Sequence, residues 1–448
     1  MLTVQALRPL VLGLKTQVSE GSPLRSIPLY SILTAVGLLF GFLRELVVAS
    51  KFGLSSDLDV LVTVMGFHLL FGVQVGNALE SVFVSTIAPL NDAHQMRAYL
   101  RKALRSLLLA NLAILFLLVF GSGYVLTIIF PAFSQEQLRL GAQIIAMLLL
   151  PIVFTNTAGL LRGGLSVSGV FSPGFAAGSV VSVCTIGSTV LLSDRYGIFA
   201  VLLGFGIGHF LVLSLFLVQL AKTGMLKDLF TEKDARVATF PVWGTASAVL
   251  VAEVLYQAIA LTERSLASTL ETGTIAAFFY AGTIVAIPLS LFTFPITTVL
   301  FPRMAKAFTE NRGKGYLLMT QYGVMLFIAS AVLVIVLSFF AEPIVELVFM
   351  RGKFSLDDAH LTGRILSTLV FGLPFLSVYG LIRNSFYSLS DYKIPICGFA
   401  LQWLLVASGG LLLIPRYGFQ GLAIASVASQ AVQTVFLGWL LRRRLTSE

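Results

Sequence analysis

The sequence predicts an all-α, polytopic membrane protein of about twelve transmembrane helices, built from two six-helix repeats. Three observations predict it. Of 448 residues, 57% are hydrophobic and only 11% charged, whereas soluble domains carry roughly 25% charged residues. Apolar runs of spanning length recur from one end of the chain to the other. Paired landmarks also recur about half a chain apart. So few charges cannot cover the surface of a water-facing protein of this size, and lipid as solvent removes the conflict.

A spanning helix needs about 20 mostly apolar residues. Runs of that kind fall at 27–50, 60–90, 106–130, 139–161, 175–193 and 198–221. Six more follow at 241–263, 274–301, 317–340, 361–387, 396–414 and 421–441. The second and eighth are long enough to tilt or kink, and Pro288 and Pro295 supply a kink in the eighth. The predicted organisation is a cytoplasmic N-terminal segment 1–26, a bundle 27–221, a linker 222–240, a second bundle 241–441 and a tail 442–448.

Lys and Arg set the orientation. The N-terminal segment (Arg8, Lys15, Arg25) reads as a cytoplasmic or interfacial leader, without the long apolar region and small-residue cleavage site of a signal peptide. With alternate loops and the C-terminus it holds 21 cations; the opposite loops hold 7. The positive-inside rule then places both termini in the cytoplasm, which an even helix count requires. The net charge of +9 follows from these loops and calls for no nucleic-acid partner. Cys184 and Cys397 both lie in apolar runs, so no disulfide framework or metal cluster is expected.

The repeat has an offset near 221. Arg195-Tyr196-Gly197 returns as Arg416-Tyr417-Gly418, Phe133-Ser134 as Phe354-Ser355, and Gly159-Leu160-Leu161-Arg162 as Gly380-Leu381-Ile382-Arg383. Pro151 pairs with Pro374 and Pro173 with Pro395. Six helices per copy give both copies the same topology, related by an axis along the membrane normal. Two equivalent bundles that rock about a shared interface are the physical basis of alternating access, with a substrate site between them near midplane.

Ionisable groups within spans cost about 2.5–3.5 kcal/mol or more each, so those retained face a cavity or a partner. The first two spans carry Arg44, Glu45, Asp59 at a mouth, His68, Gln74, Asn77 and Glu80; the seventh carries Glu253, Glu263 and Arg264. Gln74, Asn77 and Glu80 stand three apart and share a helix face. Phe71 and Phe83 extend that row, which reads as the wall of a wet cavity. Arg162 and Arg383 stand near the cytoplasmic boundary, where an Arg also snorkels to water and pins helix depth. Glu263 and Arg264 also fit a plain surface pair, and His68 alone fits a hydrogen-bonded packing residue. No GxxxxGK[ST], HExxH or GxSxG motif is present, so neither ATP hydrolysis nor metalloprotease or hydrolase chemistry is indicated. The drive is then an ion gradient, the membrane potential or consumption of product.

Gly41-Phe42-Leu43-Arg44-Glu45, then Phe52-Gly53 and Asp59, resembles the opening of the MurJ/MviN lipid II flippases. Glu80, Phe83 and Pro89 match that family's second-span segment, where Ser81 and Ile87 do not. Glu263–Ser268, Tyr280-Ala281, Pro288, Leu300-Phe301-Pro302-Arg303, Arg351-Gly352-Lys353-Phe354 and Leu373-Pro374 extend the resemblance over roughly residues 28–440. It implies the V-shaped bundles of the multidrug/oligosaccharidyl-lipid/polysaccharide exporter superfamily. It also implies transport, not catalysis, of a polyprenyl-diphosphate-linked glycan across the bacterial inner membrane. By family position Arg44 would hold the diphosphate, since Arg offers forked donors, while Asp59 and Glu80 would serve gating or sugar contacts. The full substrate-site set expected is Arg44, Asp59, Gln74, Asn77, Glu80, Glu263 and Arg264, with Arg162 and Arg383 gating or anchoring. Membrane lipids, a coupling cation (Na+ or H+) and glycan synthesis or polymerisation machinery complete the expected partners, with no further cofactor.

The chain departs from the family pattern in three places. Many members have fourteen helices, where this one shows twelve runs. The family's Tyr-Ala-Asp-Arg reads Tyr280-Ala281-Gly282-Thr283, and an Arg pair is replaced by Val75-Gly76. A cation-coupled drug exporter and a transport-inactive scaffold of an envelope-assembly complex are the competing readings. A membrane-embedded transferase is disfavoured by short loops without clustered His or paired acids. Within the repeat, matching Pro89 to Pro302 puts Ile287, Ser290 and Thr293 opposite Gln74, Asn77 and Glu80, and an offset of 221 gives Pro295, Thr298 and Phe301. Neither supplies a charge, so polar character is expected to concentrate in the first copy.

Overall fold

The computed structural model describes residues 23–87, 93–226, 242–389, 391 and 393–446. Pro89, most of the N-terminal segment and linker positions 227–240 lie outside them. In chain order the helices are α1 (Pro23–Phe52), α2 (Ser56–His68 and Val75–Ile87), α3 (Ala93–Ile129), α4 (Gln135–Val167), α5 (Ser172–Tyr196) and α6 (Phe199–Lys222). The second half repeats the plan with α7 (Val242–Ala267), α8 (Thr274–Pro288 and Phe294–Glu310), α9 (Arg312–Phe339), a short α10 (Ala341–Phe349), α11 (Leu356–Leu369 and Leu373–Ser388), α12 (Lys393–Tyr417) and α13 (Phe419–Thr446). No strand occurs among the described residues.

Eleven of these helices are long and apolar enough to cross a membrane. The twelfth, α7, has 26 residues, about 39 Å at 1.5 Å per residue. It carries Glu253 near its middle and Glu263 and Arg264 near its end. Many large apolar side chains face outward, Leu191 and Leu347 at 80% exposure and Phe120 at 74%. On a soluble protein such a surface would aggregate; against lipid tails it costs nothing.

The duplication is written into backbone geometry as well as sequence. Ser134 caps α4 with a reciprocal bond to Gln137, and Ser355 caps α11 with the same box to Asp358; each satisfies two otherwise orphaned N–H groups. Gly197 and Gly418 turn the chain at φ 55° and 56°, a left-handed conformation that favours glycine. Both α2 and α8 are interrupted by π-helical segments, Leu69–Gln74 and Leu289–Thr293. Their first residues stand 220 apart (289 minus 69). In span eight the π segment lies between Pro288 and Pro295, where the sequence predicts a kink, and in α2 it forms without a proline. At this offset Gln74, Asn77 and Glu80 face Phe294, Thr297 and Leu300 in the copy, again without a charge.

The halves meet where the ends of α1 and α3 and the start of α2 approach the end of α7, the start of α8 and the end of α10. There Lys353 N–H donates to the Ser50 carbonyl at 2.7 Å, Ser265 hydroxyl donates to the Ile129 carbonyl, and Phe42 meets Phe349 edge-on at 6.2 Å. Further along, the second arm of α2 runs beside α7. Within the first half, α2 and α4 touch backbone to backbone: a Cβ on Gly159 would lie 2.5 Å from the Gly76 carbonyl oxygen, and one on Gly76 3.1 Å from that of Thr155.

Candidate functional site

A cavity of about 530 Å³ opens within the first half. Helices α1, α2, α4, α5 and α6 form its wall, and the second half contributes Arg264 and Phe279. The cavity thus lies mainly in the first copy, whereas the repeat predicts a site midway between the halves. Much of the wall is apolar; its charged members are Arg44, Glu45, Arg162 and Arg264, joined by Asn77, His68 and His209.

Arg44 reaches the cavity from α1, a span whose other cation within the membrane region is absent until Lys51 at its end. Its Nε donates to Glu45 Oε1 at 2.9 Å and a second nitrogen to the same oxygen at 2.5 Å. This pair remains partly accessible, 29% for the Arg side chain, so an entering anion can compete for the guanidinium.

Arg162, expected to gate or to anchor, pairs with the α2 stripe. Its Nε donates to Glu80 at 2.7 Å and a terminal nitrogen to Asn77 Oδ1 at 2.8 Å. Asn77 and Glu80 are thus brought together as their three-residue spacing requires, with Asn77 in the cavity wall. Gln74 ends the π-helical segment, half-buried and outside that wall. A π turn adds a residue, so the regular α spacing assumed from sequence does not extend through it.

Asp59 lies in the seam rather than in the cavity. Its Oδ2 accepts the Gly273 N–H at 2.6 Å and its Oδ1 the Ala276 N–H at 2.8 Å. Both donors belong to the first turn of α8 in the other half, where unsatisfied N–H groups and the helix dipole favour an anion. At 4% exposure the carboxylate is closed to substrate in this conformation. Gly273 has φ 90°, and a Cβ there would press on Leu54, so only glycine lets α8 approach so closely.

Glu263 and Arg264 diverge instead of pairing. Glu263 accepts the Ser426 hydroxyl at 2.5 Å within the second half. Arg264 points to the cavity beside Gly66, whose missing side chain makes room: a Cβ on Gly66 would sit 2.5 Å from Nη1. That Nη1 is buried with no hydrogen-bond partner. Arg383 lies against the Tyr379 and Tyr387 rings at 5.7 and 5.9 Å, a cation–π setting away from the cavity wall.

Two features escaped the sequence reading. His209, from α6, stands 5.0 Å from His68 between ring centroids; the rule that flagged His68 as ionisable within a span applies to it equally. Gly76, read as a lost cation, also serves packing, since a Cβ there would already press the Thr155 carbonyl oxygen of α4 at 3.1 Å. Among the described residues no group of three His, Cys, Asp or Glu is placed to hold a metal ion.

The family described as "Lipid II flippase MurJ" matches residues 48–448. The chain belongs to the MurJ family. A relative named "Probable lipid II flippase MurJ" from Borreliella burgdorferi is 23% identical over 433 residues, covering 93% of this chain and 83% of that protein. Among solved structures, "Lipid II flippase MurJ, inward closed conformation" superposes with a TM-score of 0.77 at 22% identity, covering 92% of this chain and 87% of that one. An inward-facing MATE multidrug transporter of the MOP superfamily gives 0.75 at 14%, covering 92% and 95%. These likenesses show a fold shared with that flippase and with that MATE transporter, and the MurJ family is one of transporters rather than enzymes.

Proposed function

We propose that this chain is a flippase that carries a polyprenyl-diphosphate-linked glycan, lipid II or a related envelope precursor, across the bacterial inner membrane. Its halves rock so that the cavity opens alternately to each side, with both termini in the cytoplasm. The observation that carries the reading is the cavity itself: three guanidinium groups line it in a region where cations are costly. Arg44 and Arg264 hold the diphosphate, because both face the cavity and the Arg264 Nη1 is otherwise unpartnered. Asn77, held by Arg162, offers its amide to a sugar. Asp59 holds the outer seam shut until the halves separate. A coupling cation, Na+ or H+, and association with glycan-polymerising enzymes belong to the same reading.

Reconstitution tests it. Proteoliposomes loaded with a fluorescent polyprenyl-diphosphate sugar should move the label to the opposite leaflet, and Arg44→Gln should slow this by about tenfold or more, as for loss of one charged contact. A drug exporter would instead move organic cations and tolerate Arg44→Gln. Wild-type vesicles that leave the lipid-linked sugar in its starting leaflet would sink the proposal.

A further inference from the structure

The bonds of His68 and His209 fix their tautomers. Thr155 Oγ1 donates its one hydrogen to the Pro151 carbonyl at 2.7 Å, so at 3.0 Å from His68 Nε2 it accepts, and His68 carries its hydrogen on Nε2. The Phe205 carbonyl only accepts, so His209 donates to it from Nδ1 at 2.9 Å. Each neutral ring is left with one lone pair, on Nδ1 of His68 and Nε2 of His209. The rings meet at 70° with centroids 5.0 Å apart, and Phe205 packs on both, at 4.8 and 4.2 Å. At this spacing two imidazolium charges repel, so the pair behaves as one coupled site.

The surrounding charges decide what that site does. The groups facing it across the cavity are Arg44 and Glu45 from α1, Arg162 from α4 and Arg264 from α7. Arg44 is near enough for its charge to act on His209. The polar side chains that helix α5 brings to the wall are Ser182 and Thr185, neither of them charged, and α8 brings Phe279; the Tyr280 hydroxyl of α8 is buried elsewhere, its ring against Phe349 and Phe354. Glu45 offsets the charge of Arg44 and Glu80 that of Arg162, so although Arg44 and Arg264 both contact an entering dianion such as a diphosphate diester, these groups together offer it a net charge of only about +1. A proton on the histidine pair supplies the second positive charge.

We propose that His68 and His209 form a one-proton site whose protonation is linked to binding of the anionic headgroup in the adjoining cavity. This rests on the anionic-substrate reading above. The proton comes from water or buffer and adds to an imidazole lone pair, with no other bond made or broken.

Calorimetry on the purified full-length protein with a polyprenyl-diphosphate sugar, a diphosphate diester that does not itself titrate near neutral pH, in buffers of different ionisation enthalpy, tests the linkage. Wild type should take up as much as one proton on binding, and its Kd should rise by up to tenfold per pH unit through the titration range. The His68→Gln/His209→Gln variant should bind with no uptake and a flat pH profile. Uptake unchanged in that variant, or wild-type binding that ignores pH, overturns the proposal while leaving the flippase reading intact. Absence of wild-type binding at every pH overturns both. Ligand-free NMR of labelled imidazoles gives a second check: the pair should take up one proton between them, and two independent full titrations, or none, would overturn the site.

Discussion

Replacing Asp59 by Ala removes both acceptors for the first turn of α8 and leaves the Gly273 and Ala276 N–H groups facing each other's empty partner. Hydrogen bonds to a charged group contribute about 1.5–3 kcal/mol each. Asp59→Ala should therefore shift the balance between seam-closed and seam-open states by at least about tenfold, read as faster labelling of a cysteine introduced at Leu54 from the outer side. Labelling unchanged from wild type would mean the seam is held by its other contacts. Single residues also mark the limit of reading sequence alone. Arg44 and the Asn77–Glu80 pair were legible, because a charge in an apolar run and a three-residue spacing are local signals. The partners were not. Arg162 is 82 positions from Glu80 and Gly273 is 214 from Asp59, and nothing local reports such distances.

Helices α2 and α8 each carry a π-helical interruption, a feature that concentrates at functional sites. A π segment of this kind is a one-residue insertion in an α-helix, so deleting one residue within it returns the ladder to regular α without displacing the rest. Deletion of Leu70 should leave thermal stability at or above wild type while cutting flipping by about tenfold, if bending here accompanies each transport cycle. Equal flipping rates in a folded deletion variant would remove α2 bending from the mechanism. The α2–α4 contact has the opposite character. Gly159→Ala forces a Cβ to 2.5 Å from the Gly76 carbonyl oxygen, and overpacking of this kind costs about 1–3 kcal/mol. A lowered melting temperature with wild-type substrate affinity is the expected result. Helix count and order were legible from apolar length; the π segments were not, because periodicity over six residues scarcely distinguishes 3.6 from a wider turn.

On the scale of the molecule, the proposed alternating access requires the seam to part. Ser50→Cys with Lys353→Cys, on a background of Cys184→Ser and Cys397→Ser, places two thiols where the backbones of the two halves are already hydrogen-bonded at 2.7 Å. Oxidation should abolish flipping and a reductant should restore it. Transport that persists in the fully cross-linked protein would exclude rocking about this seam. The duplication was the most legible feature of all, since five landmarks keep one order and nearly one offset. Its consequence for the site was only half legible: concentration of charge in the first copy was visible, but the recruitment of Arg264 from the second depends on the room Gly66 leaves.

At the offset set by the π segments, 220, the partner of Asp59 is Phe279, which lines the cavity. One position thus serves as a latch in one copy and as wall in the other. Two identical, unfused copies could not do this: a symmetric pair would carry either two latches and no aromatic wall, or two phenyl rings and nothing to fasten the halves. Joining the copies in one chain is what allows the fastening to be one-handed, and a one-handed fastening gives the two halves distinct parts to play in every cycle.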